Sequence, residues 1–166
     1  MTKRPLILVT NDDGITAPGI RSLIRVMNTL GEVVVVAPDS PQSAMGHAIT
    51  INNTLYCKEE DIDNGPQKEY SISGTPADCI KLAVHELLGR KPDLCVSGIN
   101  HGSNSSINVI YSGTMSAAIE AGMGGIPAIG FSLLNYNWDA DFSAAESYIK
   151  TLCLKVLEKG LEKGIV

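Results

Sequence analysis

Leu6-Ile7-Leu8-Val9-Thr10-Asn11-Asp12-Asp13-Gly14 is the stretch whose reading decides the fold. Its first five residues read as a short apolar strand, and the next four set two adjacent carboxylates on a turn that Gly14 allows to be sharp. Two carboxylates about 5 Å apart repel by roughly 3 kcal/mol at an effective dielectric of about 20, so a fold that presents both side by side needs a compensating cation. Oxygen-only ligation favours Mg²⁺, Mn²⁺ or Ca²⁺ over zinc. Taken alone, residues 6–14 also admit a simpler reading, an Asn-Asp-Asp-Gly turn whose acids cap helices.

Working outward, Pro18 stands where the first turn of a helix accepts it, and Ile20, Leu23, Ile24, Met27 and Leu30 follow at helical spacing before Gly31. Val33-Val34-Val35-Val36-Ala37 is apolar without alternation, as a parallel strand covered on both faces should be. A right-handed βαβ unit results. Residues 38–48 form a polar loop. Strands are expected over 49–57 and 69–72, with the charged stretch 58–68 as a solvated tip, so this part is expected to be a hairpin excursion from the sheet. The spacing then predicts a helix over 76–88 stopped by Gly89, a strand over 93–97 and a helix opened by Ser112-Gly113-Thr114. Ala117, Ala118, Ala121 and Gly122 would let that helix approach the sheet closely, and a strand over 126–131 and a last helix over 141–159 complete the pattern. There is no internal repeat or low-complexity segment. The expectation is a single α/β domain over 1–166: a three-layer, doubly wound, Rossmann-like, mostly parallel sheet with a β-hairpin excursion, binding ligands beyond the C-terminal strand ends.

Composition bounds the function. In 166 residues, 44% hydrophobic and 19% charged, one good core can be buried. A net charge of -5 argues against a broad nucleic-acid face, so no duplex partner is expected, although a small phosphorylated substrate is compatible if its charge is neutralised locally. Cys57, Cys79, Cys95 and Cys153 are widely separated, with no C-x-x-C and no secretory leader; they read as reduced packing residues in a cytoplasmic protein. No apolar run approaches the ~20 residues of a membrane span.

Each apolar strand is followed by a polar or glycine-rich loop: Asn11-Asp12-Asp13-Gly14 after the first, Pro38-Asp39-Ser40-Pro41-Gln42-Ser43 after the second, and Ser97-Gly98-Ile99-Asn100-His101-Gly102-Ser103-Asn104 after Val96. Sharing one sheet edge, these loops offer carboxylates, a hydroxyl and carboxamide oxygens, the ligand types that Mg²⁺ or Mn²⁺ accepts while retaining waters.

These pieces, with Gly74-Thr75-Pro76-Ala77-Asp78-Cys79 and Tyr111-Ser112-Gly113-Thr114, give the chain a resemblance to the SurE family of survival-protein nucleotidases, which remove phosphate from nucleoside monophosphates. The resemblance spans nearly the whole chain and implies that Asp12, Asp13, Ser43 and Asn100 hold one divalent ion, Mg²⁺ or Mn²⁺, with Ca²⁺ possible in crystals. The sequence departs from the family in two places. Ala44 stands where glycine usually follows the ligand serine, and alanine takes positive φ only at a cost. Family members also continue past position 166 into strands and a hairpin that help form dimers or tetramers, so the chain is expected to lack that C-terminal extension.

The expected activity is a metal-dependent phosphomonoesterase acting on nucleoside 5′- or 3′-monophosphates, with Asp12 or Asp13 orienting the attacking water. Attack by an aspartate itself is the alternative mechanism. Ser112, Gly113 and Thr114, at a helix start, could hold the phosphate, with plain N-capping as the competing reading, and Asn104 could touch substrate or hydrogen-bond loop backbone. Thr75 and Asp78 are explained by a helix start. His101 could donate a proton to the leaving oxygen; His47 has no partner evident in the sequence. Among rivals, a haloacid-dehalogenase-type phosphatase needs an aspartate two residues beyond its nucleophile, where this chain has Gly14 or Ile15. A dinucleotide oxidoreductase lacks its G-x-G-x-x-G. A nucleotide-binding or assembly protein without catalysis is the alternative of a different class.

Overall fold

The computed structural model describes residues 4–166. Its sheet has six strands in the order β3-β4-β2-β1-β5-β6: β1 (Leu6–Thr10), β2 (Glu32–Pro38), β3 (Cys57–Glu60), β4 (Lys68–Ile72), β5 (Leu94–His101) and β6 (Ala128–Leu133). All neighbours pair in parallel except β3, which runs antiparallel to β4 at the edge. The helices are α1 (Pro18–Asn28), α2 (Pro76–Leu82) continuing into a π-helical turn Ala83–Leu87, α3 (Gly113–Met123) and α4 (Ser143–Lys159).

The unbroken apolar strands are explained by two cores. Ile7, Val9, Val33, Val35, Leu94 and Val96 point to one side, where α1 supplies Ile20, Leu23, Ile24 and Met27 and α4 supplies Ile149 and Cys153. Leu6, Leu8, Val34, Val36 and Cys95 point to the other, against Cys79 and Ile80 of α2 and Ala117, Ala118 and Ala121 of α3. The alanine stripe of α3 thus meets the sheet closely, as its small side chains allow. Alternate residues of one strand serve opposite layers, so every position is apolar.

β1 has β2 on one side and β5 on the other, so the chain reverses its direction of travel across the sheet between β1 and β5. A crevice opens at such a switch point beyond the C-terminal strand ends. The loop after β1 and the end of β5 therefore meet there.

Two local expectations are corrected. No strand forms over 49–56; β3 starts only at Cys57. Instead of pairing with a strand, Thr50 gives both its N–H and its hydroxyl to Asp78 at the start of α2, and Ile51 and Tyr56 lie exposed. The hairpin, moreover, is no excursion. Its β4 pairs with β2 from Val34↔Lys68 to Pro38↔Ile72, making the hairpin the edge of the main sheet. The last residues, Ile165 and Val166, belong to no strand. Of the cysteines, all free, Cys79, Cys95 and Cys153 are buried packing residues and Cys57 is exposed. Among the described residues no helix is long and apolar enough to cross a membrane.

Candidate active site

β1 ends at Thr10, and the next four residues turn across the switch-point crevice. The Asn11 side chain donates to the Gly14 carbonyl at 2.9 Å, closing the turn, and Gly14 adopts a φ of 98°, a value that favours glycine. Ile15 N–H bonds to the Pro38 carbonyl at 2.8 Å and Gln42 N–H to the Asp12 carbonyl at 2.7 Å, so the loop after β2, with Ser43 on it, is fastened to the acidic turn by backbone bonds. On the other side a register shift in β5 between Ser97 and Asn100 re-aims the strand end toward the same crevice.

The result is an open pocket of about 220 Å³ lined by Asp12, Asp13, Ser43, Asn100, Asn104 and Ser112, with Ala44, His101, Ser103, Asn108 and Tyr111 completing its wall. The four positions expected to hold a cation thus come together, although they are spread over 89 residues of sequence, and two of the expected substrate positions join them. Among the described residues lining the pocket none is lysine or arginine.

The electrostatics of the acid pair are set first by burial. Burial pushes the Asp12 carboxyl up to about 6, and the neighbouring Asp13 charge pushes the same way, while the Thr114 hydroxyl, donating to Asp12 Oδ1, works against the shift. Asp13 is also raised by burial, with the ring and backbone N–H of His101 opposing. Burial thus disfavours the charged form of both carboxylates, a cost that a cation would relieve.

The donor set fits a hard divalent ion. No group of three or more His, Cys, Asp or Glu side chains among the described residues could hold a metal, so soft or imidazole-rich ligation is not on offer. The available set is two carboxylates with neutral oxygens, the chemistry of Mg²⁺ and Mn²⁺. Asn100 is oriented for such a role. Its amide nitrogen donates to the His101 carbonyl, the Gly102 carbonyl and Asn104 Oδ1 at 3.1, 3.3 and 2.9 Å, which leaves its own Oδ1 free as an acceptor. Ser43 is exposed on the rim.

The substrate positions separate into three cases. Asn104 accepts from Asn100, and its own amide nitrogen is buried without a partner among the described residues. Ser112 lines the pocket, but its hydroxyl caps α3 by accepting from Met115 N–H at 3.0 Å. Thr114 is fully buried, and its hydroxyl goes to Asp12 rather than into the pocket. Between them, Gly113 lies so close to Asp12 that a Cβ there would fall 2.6 Å from the Asp12 Cβ and 2.9 Å from its Oδ2. The N-terminus of α3 is therefore pressed against the acid turn, with the positive end of its dipole beside the carboxylates.

Thr75 and Asp78 form a reciprocal capping box at the start of α2, as expected of a helix start. His47 does have a partner: Nε2 lies 2.8 Å from Glu120 on α3, which also pairs with Lys81, so the Ser43 loop is fastened to the helix whose start faces the site. The Thr114–Asp12 bond and the packing of Trp138 and Phe142 around His101 are not apparent in the sequence. The one available signal is a lone tryptophan in a loop otherwise rich in polar residues.

A family model described as Survival protein SurE matches residues 7–166. Among curated relatives, "5'-nucleotidase SurE" of Flavobacterium psychrophilum is 71% identical over 163 residues, 98% of this chain and 63% of its own length. "5'-nucleotidase SurE" of Christiangramia forsetii is 69% identical over 165 residues, covering 99% of this chain and 64% of its own. The crystal structure of the Sure protein from Aquifex aeolicus superimposes with a TM-score of 0.85 at 39% identity, over 96% of this chain and 62% of that one. The chain thus spans somewhat under two thirds of the length of the proteins it matches.

Proposed function

The chain belongs to the SurE survival-protein family, and from that premise we propose that it is a divalent-metal-dependent phosphomonoesterase hydrolysing nucleoside 5′- or 3′-monophosphates. The observation that carries the reading is a pair of carboxylates raised by burial, beside the start of α3, in a pocket with no lysine or arginine among its described lining residues. Its relatives' name, 5'-nucleotidase, points to the same substrate class.

In this reading Asp12, Asp13, Ser43 and Asn100 would hold Mg²⁺ or Mn²⁺. When bound, the ion supplies Lewis-acid neutralisation of phosphoryl charge and acidifies water. The protein's own groups do the rest. Thr114 fixes one oxygen of Asp12, and Asp13, which meets the ring and backbone N–H of His101 but no hydroxyl, would orient the attacking water. The first N–H groups of α3, at Gly113 and Thr114, and the unpartnered Asn104 amide are the donors for phosphate oxygens. Association into dimers or tetramers is proposed for the longer family members on the resemblance alone.

The test is phosphate release from a panel of nucleoside 5′- and 3′-monophosphates with Mg²⁺, with Mn²⁺ and with excess chelator. Hydrolysis should need the metal, and Asp12→Asn or Asp13→Asn should lower kcat by at least about 100-fold, roughly what loss of one transition-state interaction costs. Turnover unchanged in chelator, or in both variants, would refute the assignment.

A further inference from the structure

One pocket-lining residue, His101, carries aromatic neighbours that the phosphate chemistry does not use. His101 lines the pocket, and the Trp138 ring stacks on it with centroids 5.9 Å apart and planes 13° from parallel. The Phe142 ring meets His101 edge-on at 5.2 Å, and Phe142 is itself part of the core around α1 and α4. A column of ring contacts therefore runs from the core through Phe142 and His101 to Trp138. Both His101 ring nitrogens are buried without a hydrogen-bond partner among the described residues, so this imidazole is held by its faces and edges. Trp138 nevertheless remains 62% exposed. With His101 stacked in an offset arrangement on one side, the indole keeps the opposite face as its free stacking surface.

An oriented indole with one open face, beside a pocket otherwise built of acids, amides and hydroxyls, is what a flat aromatic ligand portion requires. We propose that the open face of Trp138 stacks the base of the nucleoside monophosphate while the phosphate sits at the acid turn and the start of α3. The proposal deepens the nucleotidase reading and rests on it. Base–aromatic stacking tolerates any base because every base has a π-face, so the shelf favours nucleotides as a class over phosphate esters without a base.

Trp138 is the only tryptophan in the sequence, so its intrinsic fluorescence reports this position alone and does not depend on turnover. A non-hydrolysable phosphonate analogue of adenosine monophosphate, titrated with Mg²⁺ present and excitation at the red edge, should quench the emission saturably; ribose 5-phosphate should not. In kinetics, Trp138→Ala should raise KM for adenosine monophosphate about tenfold, the effect of one stacked base. Its kcat should stay within about twofold, kcat/KM for ribose 5-phosphate should be unchanged, and Trp138→Phe should recover most of the loss. Nucleotide hydrolysis without quenching, or an equal loss on both substrates, would overturn the shelf and leave the nucleotidase reading standing. Saturable quenching without hydrolysis would leave the shelf and remove the catalytic reading. Neither binding nor hydrolysis would remove both.

Discussion

Two pairs of acidic side chains are brought together in this fold, and they are neutralised in opposite ways. At the sheet edge Glu69 is almost wholly buried and Asp63 about half exposed, and both converge on the guanidinium of Arg21 from α1. Arg21 donates to Asp63 through Nε at 2.7 Å and to Glu69 through its two terminal nitrogens at 2.5 and 2.8 Å. Burial disfavours the Arg21 charge, but Glu69 and Asp63 outweigh it and hold its pKa above the ordinary value. Gln67 bonds to both Glu69 and Asn28, completing a network that pins the hairpin to α1. At the switch point, Asp12 and Asp13 are offered a threonine hydroxyl, a histidine and a helix end but, among the described residues lining the pocket, no lysine or arginine. The first pair is finished by the chain itself and is structural. In the proposed reading the second takes its counter-charge from solution, and that incompleteness is what singles it out as the candidate site.

The contrast breaks most strongly at Arg21. Removing it leaves Glu69 charged, buried and unpaired, so Arg21→Ala should destabilise the fold by about 3 kcal/mol or more in urea denaturation. Mg²⁺ affinity of the remaining folded protein should hardly change. A loss under about 1 kcal/mol, the scale of an exposed ion pair, would mean that the network is solvated in a way its burial does not suggest.

The switch-point pair predicts the opposite pH behaviour from an ordinary paired carboxylate. Asp12 has a folded-state pKa of about 6 against an ordinary value of 3.8, so between those pH values the folded chain holds more protons than the unfolded one. Metal-free stability should therefore fall as pH rises through that window, by about 2–3 kcal/mol for this group, at 1.36 kcal/mol per unit. With saturating Mg²⁺ the trend should reverse, because the ion binds the deprotonated form. Thermal melts at pH 4.5 and 7, with and without the ion, would show it, and Asp12→Asn should flatten the metal-free profile. That same variant keeps an acceptor for Thr114 yet should weaken Mn²⁺ binding by more than 1.4 kcal/mol, about tenfold, in calorimetry. Unchanged Mn²⁺ affinity would place the ion elsewhere.

The two regions also differ in how far the sequence reveals them. The acid turn is legible because an apolar run followed by Asn11-Asp12-Asp13-Gly14 is a local pattern with a local physical reading, and the strands β1, β2 and β5 announce themselves by unbroken apolarity. Asn100 and Ser43 need the resemblance, since an asparagine or serine in a polar loop has many uses. The Arg21–Glu69 pair joins residues 48 apart in sequence, and Thr114–Asp12 joins residues 102 apart; nothing near either partner signals the other. The expected strand over 49–57 fails over its first part because Thr50 bonds to Asp78 instead of a neighbouring strand, a choice made by tertiary contacts that propensity does not contain.

The smallest expected effect lies at Ala44, next to Ser43 on the rim of the open site. Ala44 has a φ of 61°, in the left-handed region, where an L side chain costs roughly 1 kcal/mol relative to glycine. Ala44→Gly would remove that strain, but the unfolded chain would gain freedom worth about 0.4–1 kcal/mol, so the two contributions nearly cancel in global stability. What should change is the stiffness of the loop. It is held by Gln42 N–H on Asp12, Gly46 N–H on the Tyr111 carbonyl and His47 on Glu120, and Ala44 sits between those fastenings with its backbone choices restricted. If Ser43 depends on that restriction, Ala44→Gly should lower Mg²⁺ affinity by about twofold to threefold while the melting temperature moves by less than about 3 °C, as expected of a stability change well under 1 kcal/mol. If the fastenings alone position Ser43, affinity should stay the same or rise slightly as strain is lost. A tenfold change in either direction would show that residue 44 governs the ion's coordination far more directly than its place on the rim implies.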